Sequence, residues 1–264
     1  MVGVIGNISR DRVTYPNQSR LLLGGSALYI AAAATTAGVP AAPISVIGSD
    51  LADLPHDPRF NGIDWSLLHI APGLSCSFTL TYDSSGTLRQ TTTYPGVAEA
   101  LTEHALQNLN ARGFHHVSCR RPLDAGQVLQ QLVWTATPFS VDFHIASARR
   151  IIPATATFLP HADTIFVNAD EFAILRAYVN LHTLPRLLVT DGPRHVVLLR
   201  HGRTAARELP PPTTDPAEVT GAGDTLAGTF LAHRLNSADD GTALEQAVNA
   251  ATASLTTTYP LAQP

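Results

Sequence analysis

Short apolar runs recur along the chain, separated by stretches with helical spacing. Val2–Ile5, Pro43–Ile47, Phe114–Ser118, Phe139–Asp142, Thr164–Val167 and Leu187–Thr190 predict buried strands. Ser26–Ala37, Thr102–Ala111, Asp124–Ala136 and Ala169–Tyr178 carry apolar residues at helical intervals and predict helices. Strand and helix in alternation imply a mostly parallel sheet covered on both faces. The fold class expected is α/β.

Two segments break this rhythm. Ser75–Tyr82 and Thr87–Thr93, rich in Thr, Phe and Tyr, flank Asp83-Ser84-Ser85-Gly86 and predict a hairpin, read as a flap over one end of the sheet. His195–Leu199 and Thr204–Leu209 flank His201-Gly202-Arg203 and predict a second hairpin. Pro210-Pro211-Pro212 stiffens the chain at the exit of that hairpin. No repeat or interdomain linker is visible, so residues 1–264 are expected to form a single domain.

Composition narrows the chemistry. All 17 basic residues are Arg and none is Lys, which excludes a P-loop lysine, a Schiff-base lysine and a kinase-fold lysine. A net charge of -4 gives no electrostatic reason to expect nucleic acid or an anionic membrane. Cys76 and Cys119 are too few for a disulfide framework and lack metal-ligand spacing. The most apolar stretch, residues 27–48, is broken by Thr35, Thr36, Gly38, Pro40 and Pro43 and does not suit a membrane span. The N-terminus lacks a basic region and cleavage site, so a cytoplasmic protein is expected. His115-His116 is expected at a strand edge and not as a metal site.

The most informative segment is Val219-Thr220-Gly221-Ala222-Gly223-Asp224, a small-residue turn opening a helix that continues to Ala232. Free N–H groups at a helix start, with the positive end of its dipole, favour a bound anion. Asp224 beside such an anion is placed to take a proton from an attacking hydroxyl. An Asp that caps a helix after a glycine turn is the competing reading.

With its other motifs, this segment resembles the ribokinase-like (PfkB) family of carbohydrate and nucleoside kinases. Leu23-Gly24-Gly25-Ser26 is similar to the family's N-terminal Gly-Gly motif, and Val46-Ile47-Gly48-Ser49-Asp50 to its Val-Gly-x-Asp element. Asn168-Ala169-Asp170-Glu171 matches Asn-x-x-Glu, and Thr190-Asp191-Gly192 matches the Thr-x-Gly strand end. Ala247-Val248-Asn249-Ala250-Ala251 resembles the helix after the nucleotide pocket. The matches occur in the family's order and span nearly the whole chain.

The resemblance implies a doubly wound, mostly parallel sheet flanked by helices, with a small β lid from about residues 10–24 and 75–94. It implies transfer of the ATP γ-phosphoryl group to a hydroxyl of a small sugar, cyclitol or polyol. Asp224 is then the base, and the amides around Gly221, Ala222 and Gly223 form the anion hole. Glu171 would hold Mg2+ through water, with Asn168, Thr190, Gly192 and Asn249 at the nucleotide. Asn168 and Glu171 also fit a helix N-cap with an acid in the first turn.

On the acceptor side, Asp11 matches the family's acidic residue that binds substrate hydroxyls, and Gly24 and Gly25 let the acceptor lie against the backbone. Three positions depart from the pattern. Tyr29 stands where ribokinases carry Asn, which suggests a flatter acceptor and keeps a nucleoside kinase as the alternative. Glu218 replaces the usual Asp of a potassium-associated loop, which predicts weak or absent potassium activation. His195 replaces the second glycine after Thr190-Asp191-Gly192, and the chain is somewhat short for the family. A non-catalytic binding or regulatory protein of the same fold is the competing class, and a homodimer through the Thr-rich lid edge is an expected assembly.

Overall fold

The computed structural model describes residues 1–83, 88–212 and 221–256. A nine-stranded sheet runs through the body, built from β1 (Val2–Ile5), β4 (Ala41–Gly48), β5 (Leu68–Ala71), β8 (His115–Cys119), β9 (Phe139–Phe143), β10 (Thr164–Asn168), β11 (Leu187–Thr190), β12 (Val196–Arg200) and β13 (Arg203–Glu208). Its order is β13-β12-β11-β10-β9-β8-β1-β4-β5. All pairings are parallel except β11 with β12 and β12 with β13, so the C-terminal hairpin extends one end of the sheet antiparallel.

Alternate strand residues face opposite sides, as a two-residue period requires. Ile165 and Val167 join a core with α2 (Leu101–Asn108), α3 (Ala125–Trp134), α4 (Ile145–Thr155) and α5 (Ala169–Leu175). Phe166 points the other way, into a core with α6 (Ala222–Leu235) and α7 (Asp240–Ser254). On that second face α1 (Ser26–Thr36) packs through Ala27, Leu28, Ile30 and Ala31. Each large apolar side chain buried here contributes roughly 1.5–3 kcal/mol before the entropy cost of ordering it.

A separate four-stranded sheet, ordered β3-β2-β6-β7, forms the lid. β2 (Ser9–Tyr15) and β3 (Gln18–Gly24) make one hairpin, and β6 (Ser77–Tyr82) and β7 (Leu88–Tyr94) make the other. The two join through a parallel β2–β6 ladder. The tip of the second hairpin, Ser84-Ser85-Gly86-Thr87, lies outside the described residues.

Three sequence expectations change. His115 and His116 lie fully buried on β8, an interior strand between β1 and β9, and not at an edge. α4 was not expected, because Pro153 sits inside it and interrupts the pattern. The expected helix at 169–178 stops at Leu175, where Tyr178 is left exposed. Cys76 and Cys119 are free and buried.

Candidate active site

From β1 the chain moves to β4 and β5 on one side of the sheet, then returns to lay β8 through β11 on the other. Such a reversal opens a crevice at the C-terminal strand ends, between β1 and β8. The motifs of Asp11, Gly24-Gly25 and Gly221–Asp224 meet there, from both the lid and the body.

Asp11 lies on β2 with 8% of its surface exposed. One carboxylate oxygen accepts from the Phe78 amide at 3.2 Å, joining β2 to β6. A Cβ at Gly24 would fall 2.1 Å from the other oxygen, so only glycine leaves room there. Gly25 caps α1 at φ +98°, where an added Cβ would fall 2.3 Å from the Asn7 carbonyl. Burial pushes the Asp11 carboxyl up to about 6, partly offset by the Ser9 hydroxyl and the Phe78 amide.

Across the crevice, Gly221 opens α6 in the left-handed region at φ +84°. The Thr225 amide donates to the Gly221 carbonyl at 2.8 Å as the first bond of the helix. The amides of Ala222, Gly223 and Asp224 precede it and have no acceptor within the helix, so they face outward with the positive end of the dipole. A Cβ at Gly223 would meet nothing within 4 Å, so this turn borders open space.

Tyr29 connects the two halves. Its hydroxyl donates to the Leu23 carbonyl at 3.0 Å, and its ring lies about where a Gly221 side chain would need room, 3.0 Å from an added Cβ. Tyr29 braces the end of β3 against the α6 turn. Any contact with an acceptor would use the rest of the ring.

Around Asp224 stands a charged cluster that sequence reasoning missed. Arg120, just beyond β8, pairs with Asp142 on β9, and the same Nη2 lies 3.4 Å from Asp224 Oδ1. His116 meets Asp142 Oδ1 through Nε2 at 3.1 Å and Ser140 Oγ through Nδ1 at 2.9 Å. Burial pushes Asp142 up, but Arg120 and His116 hold it down at about 2. For Asp224, burial prevails: its carboxyl is raised, with Arg120 opposing and Asp142 adding to the rise. The available signal was an Asp inside an apolar strand, which needs a charged partner when buried.

Asn168 and Glu171 form a reciprocal capping box at the start of α5, with both bonds at 2.9 Å. The helix-cap reading is therefore realised. Glu171 is also buried at 3% exposure, and burial pushes its carboxyl up to about 7, with the Asn168 amide opposing. Asp142 raises it further and Arg120 lowers it, so Glu171 shares the field of the charged cluster. Among the described residues no three His, Cys, Asp or Glu side chains gather into a metal site. A buried carboxylate that shares the field of Asp142 and Arg120 is a hard-oxygen group, which suits a Mg2+ that arrives with phosphates and keeps most of its waters.

Thr190 ends β11 directly beside Asn168, and exposed Gly192 turns away at φ +55°. Asn249 is exposed on α7, which doubles back along α6 after a short connection. That hairpin sets it level with the first turns of α6. No contact joins Thr190, Gly192 or Asn249 to the charged cluster in the bonds described. His195 is exposed beyond the Thr190–Gly192 turn. Glu218, the basis of the potassium expectation, lies outside the described residues, as does Thr220.

Comparison with known proteins gives a consistent result. A family model described as pfkB family carbohydrate kinase matches residues 3–263. A cytidine kinase of Thermococcus kodakarensis is 26% identical over 244 residues, covering 87% of this chain and 86% of the relative. A Burkholderia thailandensis nucleoside kinase solved with inosine superposes with a TM-score of 0.78 at 19% identity, covering 97% of this chain and 91% of that one. A protein described as ribokinase II from E. coli, solved with ATP and Mg2+, gives 0.80 at 17% identity, covering 98% and 94%. These structural likenesses show the shared fold.

Proposed function

The chain belongs to the pfkB family of carbohydrate kinases, phosphotransferases acting on hydroxyl groups, and from that membership we propose that it moves the γ-phosphoryl group of ATP to a hydroxyl of a small sugar, polyol or nucleoside. One observation carries this reading. Asp224 stands in the first turn of α6 among three outward amides, braced through Tyr29 against the end of β3, where Gly24 lies against Asp11 of β2.

Asp11 accepts hydrogen bonds from a pair of neighbouring acceptor hydroxyls, and the Gly24-Gly25 backbone lets the acceptor lie close. Asp224 takes the proton of the hydroxyl that attacks; its raised affinity for a proton suits this role. The amides of Ala222, Gly223 and Asp224 stabilise charge on the transferring oxygens. Glu171, through water, is the residue that would hold Mg2+, which when bound neutralises phosphate charge, and Asn168 sits near the phosphates. Thr190, Gly192 and Asn249 are assigned to the nucleotide.

The nucleoside acceptor is favoured as a second reading by the cytidine kinase relative, whose match runs through most of both chains. The partner proposed is a small molecule in the cytoplasm, with neither nucleic acid nor a membrane surface. A second copy would pair through β7, whose Thr92 and Thr93 are exposed at the open lid edge. The test is ADP release from ATP and Mg2+ with pooled pentoses, cyclitols and nucleosides. Asp224→Asn is expected to lower turnover about 10²- to 10⁴-fold while ADP still binds. Wild-type turnover in that variant removes Asp224 as the base.

A further inference from the structure

The chain has no lysine, so any side-chain cation acting on phosphate is an arginine or a histidine. Arg120 is the arginine that reaches the base. Its Nη2 is shared between Asp142 and Asp224, while its Nε–H is buried without a partner among the described residues. A buried guanidinium N–H left unpaired is costly, so this group is held under-satisfied, and 17% of the side chain stays exposed, which lets a ligand oxygen approach it. Asp142 is itself fixed by His116, which is fixed in turn by Ser140. The guanidinium thus has one firm anchor and one looser contact.

We propose that Arg120 is a catalytic residue of the phosphoryl transfer, its guanidinium contacting the transferring phosphoryl oxygens most strongly in the transition state. This rests on the kinase reading above. As the acceptor oxygen bonds to the γ-phosphorus, its proton passes to Asp224. The bond between that phosphorus and the bridging oxygen breaks, and ADP leaves with the electron pair. Protonation neutralises Asp224 and ends its hold on Arg120, while Asp142 keeps the guanidinium in place. The positive charge then faces the phosphoryl oxygens at the moment of transfer. An interaction that strengthens on the way to the transition state raises kcat without tightening ground-state binding.

The test compares binding of ADP and Mg2+ with binding of ADP, Mg2+ and aluminium fluoride, a mimic of the transferring group, in wild type, Arg120→Ala and Arg120→Lys. Arg120→Lys keeps a counter-charge for Asp142 and guards against an unfolded Arg120→Ala. The expected result is ADP affinity within about threefold of wild type in Arg120→Lys. Affinity for the aluminium fluoride complex should fall by about tenfold or more, the scale of one lost transition-state donor. Equal affinity for the mimic in wild type and both folded variants overturns the proposal, as does a parallel loss for ADP alone, which makes Arg120 a structural pin. With an acceptor in hand, a raised acceptor KM at unchanged kcat also overturns it and makes Arg120 an acceptor ligand. A wild-type protein that binds neither ADP complex overturns the kinase reading itself.

Discussion

Burial raises the carboxyl of Asp11, the residue proposed to grip the acceptor, to about 6. In the unfolded chain this group titrates near 3.8. Between those values the folded protein keeps a proton that the unfolded chain has released, so this group's contribution makes stability fall as pH rises from about 4 to 6. Asp11→Asn removes that cost. It is expected to stabilise the ligand-free protein at pH 8 by up to about 3 kcal/mol, with the difference vanishing below pH 4. The same variant should lose about tenfold or more in acceptor kcat/KM, because the hydroxyls face an amide where they met a carboxylate. Urea melts at pH 4 and pH 8 check the first effect, and no gain at pH 8 refutes it. Asp11, Gly24 and Asp224 were readable in the sequence because each sits inside a short motif. Arg120, Asp142 and His116 were not, since Arg120 meets its partners 22 and 104 residues away and no local spacing reports such a meeting.

At the scale of elements, the position of α6 decides where Asp224 sits. Gly228 lets α6 cross α1 closely: a Cβ there would fall 2.4 Å from the Ile30 carbonyl and 2.9 Å from Ala33. On its sheet side Phe230 meets Phe166 edge-on at 5.8 Å, and Phe166 meets the His116 ring at 5.9 Å. The helix that carries Asp224 is thus packed through one phenylalanine to the histidine that fixes Asp142. Gly228→Ala is expected to push α1 and α6 apart and destabilise by about 1–3 kcal/mol, the usual cost of overpacking. Turnover should fall by more than the folded fraction accounts for, because Tyr29 and Asp224 ride on the two displaced helices. A variant with unchanged Tm and kcat contradicts this packing argument. The sequence showed α1, α3 and the buried parallel strands well, since each carries a clear apolar run or helical period, but it missed β5, a parallel edge strand with no buried residue. It hid α4, where Pro153 argues against a helix that neighbouring packing nevertheless sustains.

For the whole molecule, the decisive feature is that the two residues proposed to hold the acceptor belong to different bodies. Asp11 rides on the lid sheet, whereas Asp224 rides on a helix of the main sheet. The root of the lid is fixed: Asp50 accepts from the Ser75 amide at 2.8 Å and its hydroxyl at 2.7 Å, and the Gly48 amide donates to the same hydroxyl at 2.8 Å. Beyond that root, the far edge strand β7 pairs only with β6 and exposes Thr92, Thr93 and Tyr94. On the proposed roles, an acceptor bound at Asp11 and presented to Asp224 links lid to body, whereas Thr190 and Gly192, proposed for the nucleotide, lie wholly on the body. Acceptor should therefore slow backbone hydrogen exchange in β6 and β7, and ADP with Mg2+ should leave those strands unchanged while protecting the start of α6. The measurement is hydrogen–deuterium exchange with each ligand alone and with both. Local opening of such a thinly held edge is frequent enough in the free protein for added protection to be read. Protection of β6 and β7 by ADP alone would mean that the nucleotide reaches under the lid, and the assignment of Asp11 as the acceptor's hold would have to be abandoned.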